Sequence, residues 1–322
     1  MSSLSYPEVT AAAERLRGRV RPVVTTALAR GDLPGARCDL HLALEFLQHT
    51  GSFKARGAQN FLQAHREAGT LPEAGVAIAS GGNAGLACAW AAREQGVRAT
   101  VFLPVGAPPV KVARLRGFGA EVRLVGAEYA EALAACEEFV AATGALASHA
   151  YDHPLIAAGA GTLLDEVRQR VPGLQTIVVA VGGGGLFAGV ATAARHHGIR
   201  TVAVEPENCR ALNAAVEAGR LVDVTVDSIA ADSLGARRAS AAALEAAQDA
   251  SARSIVVADA GIAGARQLLW DEFRLAVEAG AATALAGLLS PAGYRPADDE
   301  RVCVVLCGAN TDPADLAGPA TR

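Results

Sequence analysis

Lysine is rare in this chain, and one of its two lysines has a sequence context suited to covalent chemistry. The 322 residues include 29 Lys plus Arg, of which only Lys54 and Lys111 are lysine. Both residue types serve as solvated charges, but arginine stays protonated in proteins, so a role that needs a neutral amine excludes it. Lys54 follows a Gly-Ser-Phe segment and precedes a predicted helix at 58–67, which makes it a candidate for Schiff-base formation or proton abstraction. The alternative is that both lysines are the remainder of an arginine bias, and Lys111, which lacks a glycine context, is interpreted as a helix-surface charge.

A first glycine-rich segment, Ser-Gly-Gly-Asn-Ala-Gly at residues 80–85, could bind an anion. It follows an apolar run at 76–79 and precedes a predicted helix at 86–94. Glycines allow backbone N–H groups to approach a ligand, and a helix N-terminus favours a negative group such as a carboxylate. The alternative is that Asn83 is an ordinary helix N-cap behind a flexible turn.

A second segment consists of four consecutive glycines, Gly182 to Gly185, between a β-branched run at 176–181 and a predicted helix that begins at Leu186. Bare amides at a helix start form a phosphate cradle, because no Cβ blocks the ligand and the helix dipole favours negative charge. A rival interpretation is a dinucleotide fingerprint, because Gly-x-Gly-x-x-Ala at 183–188 precedes Glu205 at the end of the next strand. That fingerprint normally lies in the first βαβ unit, whereas this one begins past the middle of the chain.

A third segment, Cys-Gly-Ala-Asn at residues 307–310, follows the last predicted strand. A cysteine in this setting is more often a small buried hydrophobe than a functional thiol. The sequence offers Cys307 no nearby base that would activate it.

Composition narrows the class of protein to a globular one. The net charge is −4, aromatic residues make up 4%, and there is no long basic run, so nucleic-acid binding is not expected. Six cysteines without CxxC pairs or zinc spacing favour a reducing, cytoplasmic setting, and no secretory signal is visible. The uncharged segment 171–194 is long enough to span a membrane, but its glycines interrupt any continuous helix, so no span is predicted.

Apolar runs of strand length alternate with alanine-rich helical stretches, and this alternation predicts an α/β fold with a parallel sheet. Several predicted helices end at a glycine suited to a left-handed C-terminal position, namely Gly96, Gly144 and Gly198. The segment beyond residue 308 is rich in Pro, Gly and Ala and is predicted to be a loose tail. The predicted strands are 39–46, 76–79, 100–103, 121–125, 176–181, 201–204, 254–258 and 302–306.

Taken in order, these motifs resemble those of the pyridoxal-phosphate serine/threonine dehydratases, a family of the tryptophan synthase β-like fold (fold type II). The resemblance rests on Gly-Ser-Phe-Lys-x-Arg-Gly-Ala at 51–58, Ser-Gly-Gly-Asn at 80–83, the tetraglycine segment and Cys-Gly-Ala-Asn at 307–310. It extends from about residue 15 to 312 and includes His-x-Tyr-Asp-x-Pro at 149–154 and Val-Glu-Ala-Gly-Ala-Ala at 277–282.

The resemblance implies pyridoxal 5'-phosphate as cofactor and a role for each motif. Lys54 would bind the cofactor covalently and later remove the substrate Cα proton, with Ser80 as a second catalytic residue. Cys307 would lie beside the ring nitrogen as a neutral thiol, which favours elimination of a β-hydroxyl over prolonged carbanion chemistry. The implied cofactor-binding residues are Phe53, Lys54, Asn83, Gly182, Gly183, Gly184, Gly185, Leu186 and Cys307, and those implied for the substrate carboxylate are Ser80, Gly81, Asn83 and Ala84.

Three positions depart from the family pattern. Gly81 stands where serine racemases place the serine that acts as the opposite-face acid, so racemisation is disfavoured. Metal-binding relatives pair Glu205 with an acidic residue six positions on, where this chain has Ala211, so no metal site is predicted. Ser233 replaces a usual glycine and could alter the pocket.

The sequence thus predicts a two-lobed enzyme, with a small lobe at 71–144 inserted into a large one formed by 1–70 and 145–322. The expected reaction is dehydration and deamination of L-threonine or L-serine to 2-oxobutyrate or pyruvate plus ammonia. Alternatives within the fold are a dehydratase of another β-hydroxy amino acid, such as 3-hydroxyaspartate, or a β-replacement enzyme. More distant alternatives are an NAD-dependent oxidoreductase and a non-catalytic cofactor-binding protein. The expected partner is a small amino acid, and the family suggests a homodimer.

Overall fold

The computed structural model describes residues 4–29, 31–33 and 37–316, whose strands form two sheets flanked by helices. In chain order the strands are β1 (Thr25–Ala27), β2 (Asp39–Ala43), β3 (Val76–Ala79), β4 (Ala99–Leu103), β5 (Glu121–Leu124), β6 (Leu146–Ala147), β7 (Thr176–Ala180), β8 (Arg200–Pro206), β9 (Ala252–Val257) and β10 (Arg301–Val305). The helices are α1 (Tyr6–Leu16), α2 (Lys54–Glu67), α3 (Asn83–Glu94), α4 (Pro109–Gly117), α5 (Tyr129–Thr143), α6 (Pro154–Arg170), α7 (Gly185–His196), α8 (Ala211–Ala218), α9 (Ala231–Leu234), α10 (Ala241–Ala247), α11 (Asp259–Phe273) and α12 (Ala279–Leu289). Short 3-10 turns lie at Glu45–Leu47, His49–Gly51 and Pro313–Leu316.

The larger sheet has the strand order β1-β2-β10-β7-β8-β9. The five neighbouring strands β2, β10, β7, β8 and β9 of this sheet run parallel. Every residue of β7 is buried, because helices cover both faces of the sheet. The α/β class with parallel sheets is therefore confirmed. The short edge strand β1 was not expected from the sequence, and it pairs antiparallel with β2.

The smaller sheet has the order β5-β4-β3-β6, and all of its pairs are parallel. Its strands come from residues 76–147, so the chain forms this sheet between two passages through the larger one. The last strand, β6, lies just beyond residue 144, where the sequence placed the end of the small lobe.

The helix beginnings at the two motif-bearing segments were predicted too late. α2 begins at Lys54 instead of residue 58, and α3 begins at Asn83 instead of residue 86. Gly57 lies inside α2 because the helix approaches α6 closely there: a Cβ at Gly57 would come within 2.7 Å of the carbonyl oxygen of Ile156. A glycine that permits close packing has the same sequence signature as one that ends a turn.

Other segments confirm or correct the sequence expectations. Gly96, Gly144 and Gly198 all have positive φ at helix ends, as predicted. Segment 171–194 divides into β7, the glycine loop and α7, and within the described ranges no helix is long and apolar enough to cross a membrane. The predicted strand 39–46 ends at Ala43. The residues just after 308 are hydrogen-bonded to the core and are not a loose tail, whereas 317–322 lie outside the described residues.

A buried ion cluster anchors the start of α2. The Arg56 side chain is fully buried and bonds Glu45, which follows β2, and Glu166 on α6. The Arg56 Nη1 to Glu166 Oε1 distance is 2.6 Å, and Glu166 Oε2 also accepts the backbone N–H of Val23 at 2.7 Å. Because Glu45 is fully buried and Glu166 is only partly exposed, the charge of the Glu45 carboxylate above all must be balanced in place. The cluster lies two residues after Lys54 and fixes that turn of helix against the large sheet.

Replacing Arg56 with leucine should destabilise the protein by about 3–5 kcal/mol, because the buried Glu45 carboxylate and the partly buried Glu166 carboxylate would remain without a counter-charge. Chemical denaturation measures this loss. The matched control is Arg17→Leu, since Arg17 pairs with Glu14 on the solvent-exposed surface and should hardly change the unfolding midpoint. Equal stability losses in the two variants would contradict the role given to the cluster.

Candidate active site

The segment that carries Lys54 is held beside the segment that carries Cys307 by backbone pairing. Ser52 and Gly308 form an antiparallel bridge. Phe53 N donates to the Cys307 carbonyl at 3.0 Å, and Ala309 N donates to the Gly51 carbonyl at 3.0 Å. Two of the predicted site segments, separated by more than 250 residues in sequence, are therefore neighbours in the fold.

The turn before Lys54 is conformationally demanding. Thr50 has φ 63° and Gly51 has φ 78°, so two successive residues occupy the left-handed region. Asn310 lies against this turn: its Nδ2 donates to the Thr50 carbonyl at 2.8 Å, and a Cβ at Gly51 would come within 2.8 Å of its Oδ1. A non-glycine residue in this region stores strain, which surrounding contacts must hold in place.

The Lys54 amine is turned inward. Its Nζ donates to the Ala150 carbonyl at 2.6 Å and lies 5.0 Å from the centre of the Phe53 ring. Among the described residues, the hydrogen-bond partner of this amine is a neutral backbone carbonyl. Burial lowers the pKa of Lys54 to about 8, against smaller opposing effects of Cys307 and Glu278. A substantial fraction of this amine is therefore neutral near pH 8, as nucleophilic or proton-accepting chemistry requires.

Cys307 is 3% exposed and lies at the end of β10. Burial, with a further contribution from the charge of Glu278, raises the pKa of the Cys307 thiol far above its usual range. The thiol therefore stays protonated and neutral, in line with its predicted role as an uncharged neighbour of a ring nitrogen.

The tetraglycine segment presents its amides at the start of α7. Among the described residues, the N–H groups from Gly182 to Leu186 find no backbone acceptor, although most of these residues are buried. Gly184 has φ 93° and serves as the N-cap of α7. A Cβ at Gly183 would come within 2.3 Å of the Tyr151 ring, so a side chain has no room there. Buried amides without partners at a helix N-terminus form an anion site.

The segment from Ser80 to Ala84 forms a second set of amides, at the start of α3. In the part of the chain that is described, its N–H groups likewise donate to no backbone carbonyl, and the Ser80 hydroxyl has no hydrogen-bond partner. Gly82, not Asn83, is the N-cap, so the interpretation of Asn83 as an ordinary cap is wrong. The Asn83 side chain instead donates to Glu278 at 2.9 Å.

Glu278 and Asn310 are the site residues to which sequence reasoning gave no role. Glu278 is 8% exposed, and burial raises its pKa, although bonds from Asn83 and from the Asn310 amide favour its charged form. Asn310 donates through Nδ2 to Asn83 Oδ1 at 2.6 Å. The sequence signal for Glu278 was its position immediately before an apolar helix. The sequence could not show that its carboxylate would contact Asn83 and Asn310.

Lys111 and Ser233 lie where α9 approaches the small sheet. Lys111 lies partly exposed on α4, which agrees with its interpretation as a helix-surface charge, and its Nζ is 2.6 Å from Asp232 Oδ1. Ser233 contacts α12, since a Cβ at Gly280 would come within 2.1 Å of its Oγ.

Glu205 has a structural role in this fold. It is fully buried, and its two carboxylate oxygens accept the amides of Leu212 and Asn213 at 2.8 and 2.7 Å, at the start of α8. Burial raises the pKa of Glu205 to about 8. With both oxygens bonded to amides, this carboxylate is not presented to a ribose. Within the described ranges, no three His, Cys, Asp or Glu side chains cluster as metal ligands would.

In a two-sheet α/β fold, an inward lysine amine and helix starts with unpartnered amides fit the class of enzymes that bind a phosphorylated aldehyde cofactor. The family model "Pyridoxal-phosphate dependent enzyme" matches residues 23–308 of this chain. The chain belongs to that family, which corrects the alternative of an NAD-dependent oxidoreductase.

Relatives and solved structures agree with this assignment. The chain is 37% identical to an L-threonine ammonia-lyase from Geobacter sulfurreducens, over 96% of this chain and 76% of that protein. It is also 37% identical to human "Serine dehydratase-like", over 84% of each. Its structure is similar to maize serine racemase (TM-score 0.91, 26% identity, 98% and 96% covered). It is also similar to an L-serine ammonia-lyase from Rhizomucor miehei (TM-score 0.80, 26% identity, 92% and 97% covered).

The residues present fit pyridoxal phosphate. The unpartnered amides from Gly182 to Leu186 match a phosphate, and the inward amine of Lys54 matches an aldehyde carbon. Tyr151 links the glycine loop to Lys54. Its ring covers Gly183, and the carbonyl of the preceding residue, Ala150, accepts a hydrogen bond from the Lys54 amine.

In the cofactor-free protein, the Lys54 amine should titrate with a midpoint near pH 8, well below the ordinary 10.5, because burial disfavours the ammonium form. Selective ¹³Cε labelling of lysine makes this measurable by NMR, since only two lysines contribute signals. The Lys111→Arg variant leaves one signal and so assigns the peak. A midpoint near 10.5 for Lys54 would contradict the enclosure of its amine.

Proposed function

We propose that this chain is a pyridoxal-phosphate-dependent ammonia-lyase that converts L-threonine and L-serine to 2-oxobutyrate and pyruvate with release of ammonia. The observation that carries the proposal is the Lys54 amine of lowered pKa, held by backbone pairing beside a neutral Cys307 thiol. Relatives named as a threonine ammonia-lyase and as serine dehydratase-like support it.

The residues that would hold the cofactor surround the Lys54 amine. We propose that the amides of Gly182, Gly183, Gly184, Gly185 and Leu186 bind its phosphate, that Phe53 packs beside its ring, and that Asn83 and Cys307 bind its ring hydroxyl and ring nitrogen. Bound in this way, pyridoxal phosphate supplies an electron sink for negative charge that develops at the substrate Cα.

The chain's own groups then bind the substrate and move its protons. The Ser80 hydroxyl and the amides of Gly81, Asn83 and Ala84 hold the substrate carboxylate at the N-terminus of α3, where the helix dipole favours an anion. The Lys54 Nζ accepts the proton from Cα, and this proton balances the one with which the β-hydroxyl departs as water. The enamine that is released takes up water and loses ammonia, which leaves the keto acid.

Two observations favour substrates with small neutral side chains, and elimination over racemisation. Lys111 on α4 is paired with Asp232, so its charge is not free to bind a distal carboxylate such as that of 3-hydroxyaspartate. Gly81 packs against Leu103 and has no side chain that could reprotonate Cα from the opposite face. This supports a lyase over a racemase, although the fold is shared with racemases.

The two sheets support lobes close to the proposed 1–70 with 145–322 and 71–144, although β6 of the smaller sheet lies just beyond residue 144. We propose that the site lies at the junction of the two lobes. The homodimer and the cytoplasmic location stay predictions.

Purified holoenzyme should release 2-oxobutyrate from L-threonine and pyruvate from L-serine. The Lys54→Arg variant should lower turnover by at least about 10³-fold, because arginine keeps the positive charge but cannot act as a neutral amine. A coupled keto-acid assay measures both, with 3-hydroxyaspartate and a β-replacement substrate included in the panel. Lys111→Arg is the matched control. Bound cofactor with no keto acid from any amino acid would indicate a non-catalytic protein. Retained turnover in Lys54→Arg would contradict the catalytic role given to the Lys54 amine.

Gly183→Ala should reduce bound pyridoxal phosphate about tenfold or more, since the new methyl group would meet the Tyr151 ring and displace the amides of the loop. Cofactor content after gel filtration measures this. Gly264→Ala provides the comparison, because Gly264 lies in α11 with open space around it and should tolerate the methyl group. If Gly183→Ala bound cofactor as tightly as Gly264→Ala, the phosphate site would lie elsewhere.

A further inference from the structure

Four side chains form a continuous hydrogen-bonded chain at the junction of the two sheets. Arg114 Nη2 on α4 donates to Asn310 Oδ1 at 2.6 Å, and Asn310 Nδ2 donates to Asn83 Oδ1 at 2.6 Å. Asn83 Nδ2 then donates to both carboxylate oxygens of Glu278, at 2.9 and 3.1 Å. We call this set of residues, Arg114, Asn310, Asn83 and Glu278, the amide relay.

The direction of the amide relay is set by its two ends. A guanidinium can only donate hydrogen bonds, whereas an ionised carboxylate can only accept them. Each carboxamide between them must therefore turn its oxygen towards Arg114 and its nitrogen towards Glu278. The second Asn310 N–H donates to the Thr50 carbonyl at 2.8 Å, which fixes that carboxamide in the same orientation.

The amide relay crosses between the regions of the two sheets at every step. Asn83 and Arg114 lie on helices that pack with the small sheet, whereas Glu278 and Asn310 belong to segments next to the large one. Arg114 is exposed, and among the described residues its side chain hydrogen-bonds only Asn310. Any influence that it has on the reaction must pass through Asn310.

We propose that Arg114 is a positioning residue that, through Asn310, fixes the orientation of the Asn83 carboxamide towards the ring of the cofactor. This inference rests on the proposed role of Asn83 as partner of the ring hydroxyl. In the orientation that the relay imposes, both hydrogen bonds from Asn83 Nδ2 go to Glu278, and Asn83 keeps one oxygen lone pair that accepts from that hydroxyl. Without Arg114, the Asn310 oxygen loses its charged donor, and only the Thr50 carbonyl and Glu278 still hold the two carboxamides.

The test compares three variants of the holoenzyme. Arg114→Leu removes the donor, and Arg114→Lys restores a group that can only donate. Arg116→Leu is the matched control, because Arg116 is exposed on the same helix and, among the described residues, has no side-chain hydrogen bond. Three properties are measured for each variant: the visible absorption spectrum of bound pyridoxal phosphate, the dissociation constant of the cofactor, and kcat and KM for L-threonine. Thermal unfolding shows whether each variant folds.

We expect Arg114→Leu to unfold at the same temperature as the unaltered protein, to shift the absorption band, and to bind the cofactor about tenfold more weakly, the scale of one lost charge-assisted hydrogen bond. Its kcat should fall while KM for threonine changes little, because Arg114 does not touch the substrate. Arg114→Lys should largely restore the spectrum, and Arg116→Leu should leave all three properties unchanged.

An Arg114→Leu spectrum and cofactor affinity equal to those of the unaltered protein would overturn the inference, whatever the activity. So would failure of Arg114→Lys to restore the spectrum. The spectrum and affinity do not depend on turnover. If the unaltered protein released no keto acid while Arg114→Leu still shifted the spectrum, the proposed reaction would fail and the positioning role would stand.

Discussion

The buried ion cluster around Arg56 is the constraint on which the site depends. A guanidinium with no exposure must keep two carboxylates within bonding distance, and these come from the segment after β2 and from α6. That requirement leaves α2 a single position against the large sheet. Since Lys54 is the first residue of α2, the placement of its amine follows from charges that the chemistry never uses. Rigid support of this kind is what a precisely positioned nucleophile needs.

Much of the site around that amine is built from backbone. The bridge between Ser52 and Gly308 joins two segments that are more than 250 residues apart in sequence, and two helix starts supply amides without partners. Amides carry no charge, so they can be buried while still offering a strong local potential to an anion. The site therefore needs few titratable side chains, and the chain can use arginine almost everywhere else.

What could be predicted from the sequence was local. Lys54, the two glycine segments and Cys307 each stand out through residue type and neighbours, and the fold class follows from the alternation of strands and helices. Long-range partners could not be predicted: nothing near Gly57 indicates that α6 packs against it, and nothing near Arg114 indicates that it reaches Asn310. Helix starts were missed for the same reason, since tertiary packing decides whether a glycine continues a helix or ends it.

All six cysteines are free and buried, so their reactivity towards a thiol reagent reports local opening of the structure. Burial raises the pKa of Cys88, on α3, and of Cys303, on β10, to about 12, so neither thiol forms a thiolate at neutral pH in the closed structure. Reaction of either with an alkylating reagent must therefore wait for local unfolding. Cys88 packs with the small sheet and Cys303 lies in the large one. Their alkylation rates therefore compare how often each sheet region opens locally, without any added label.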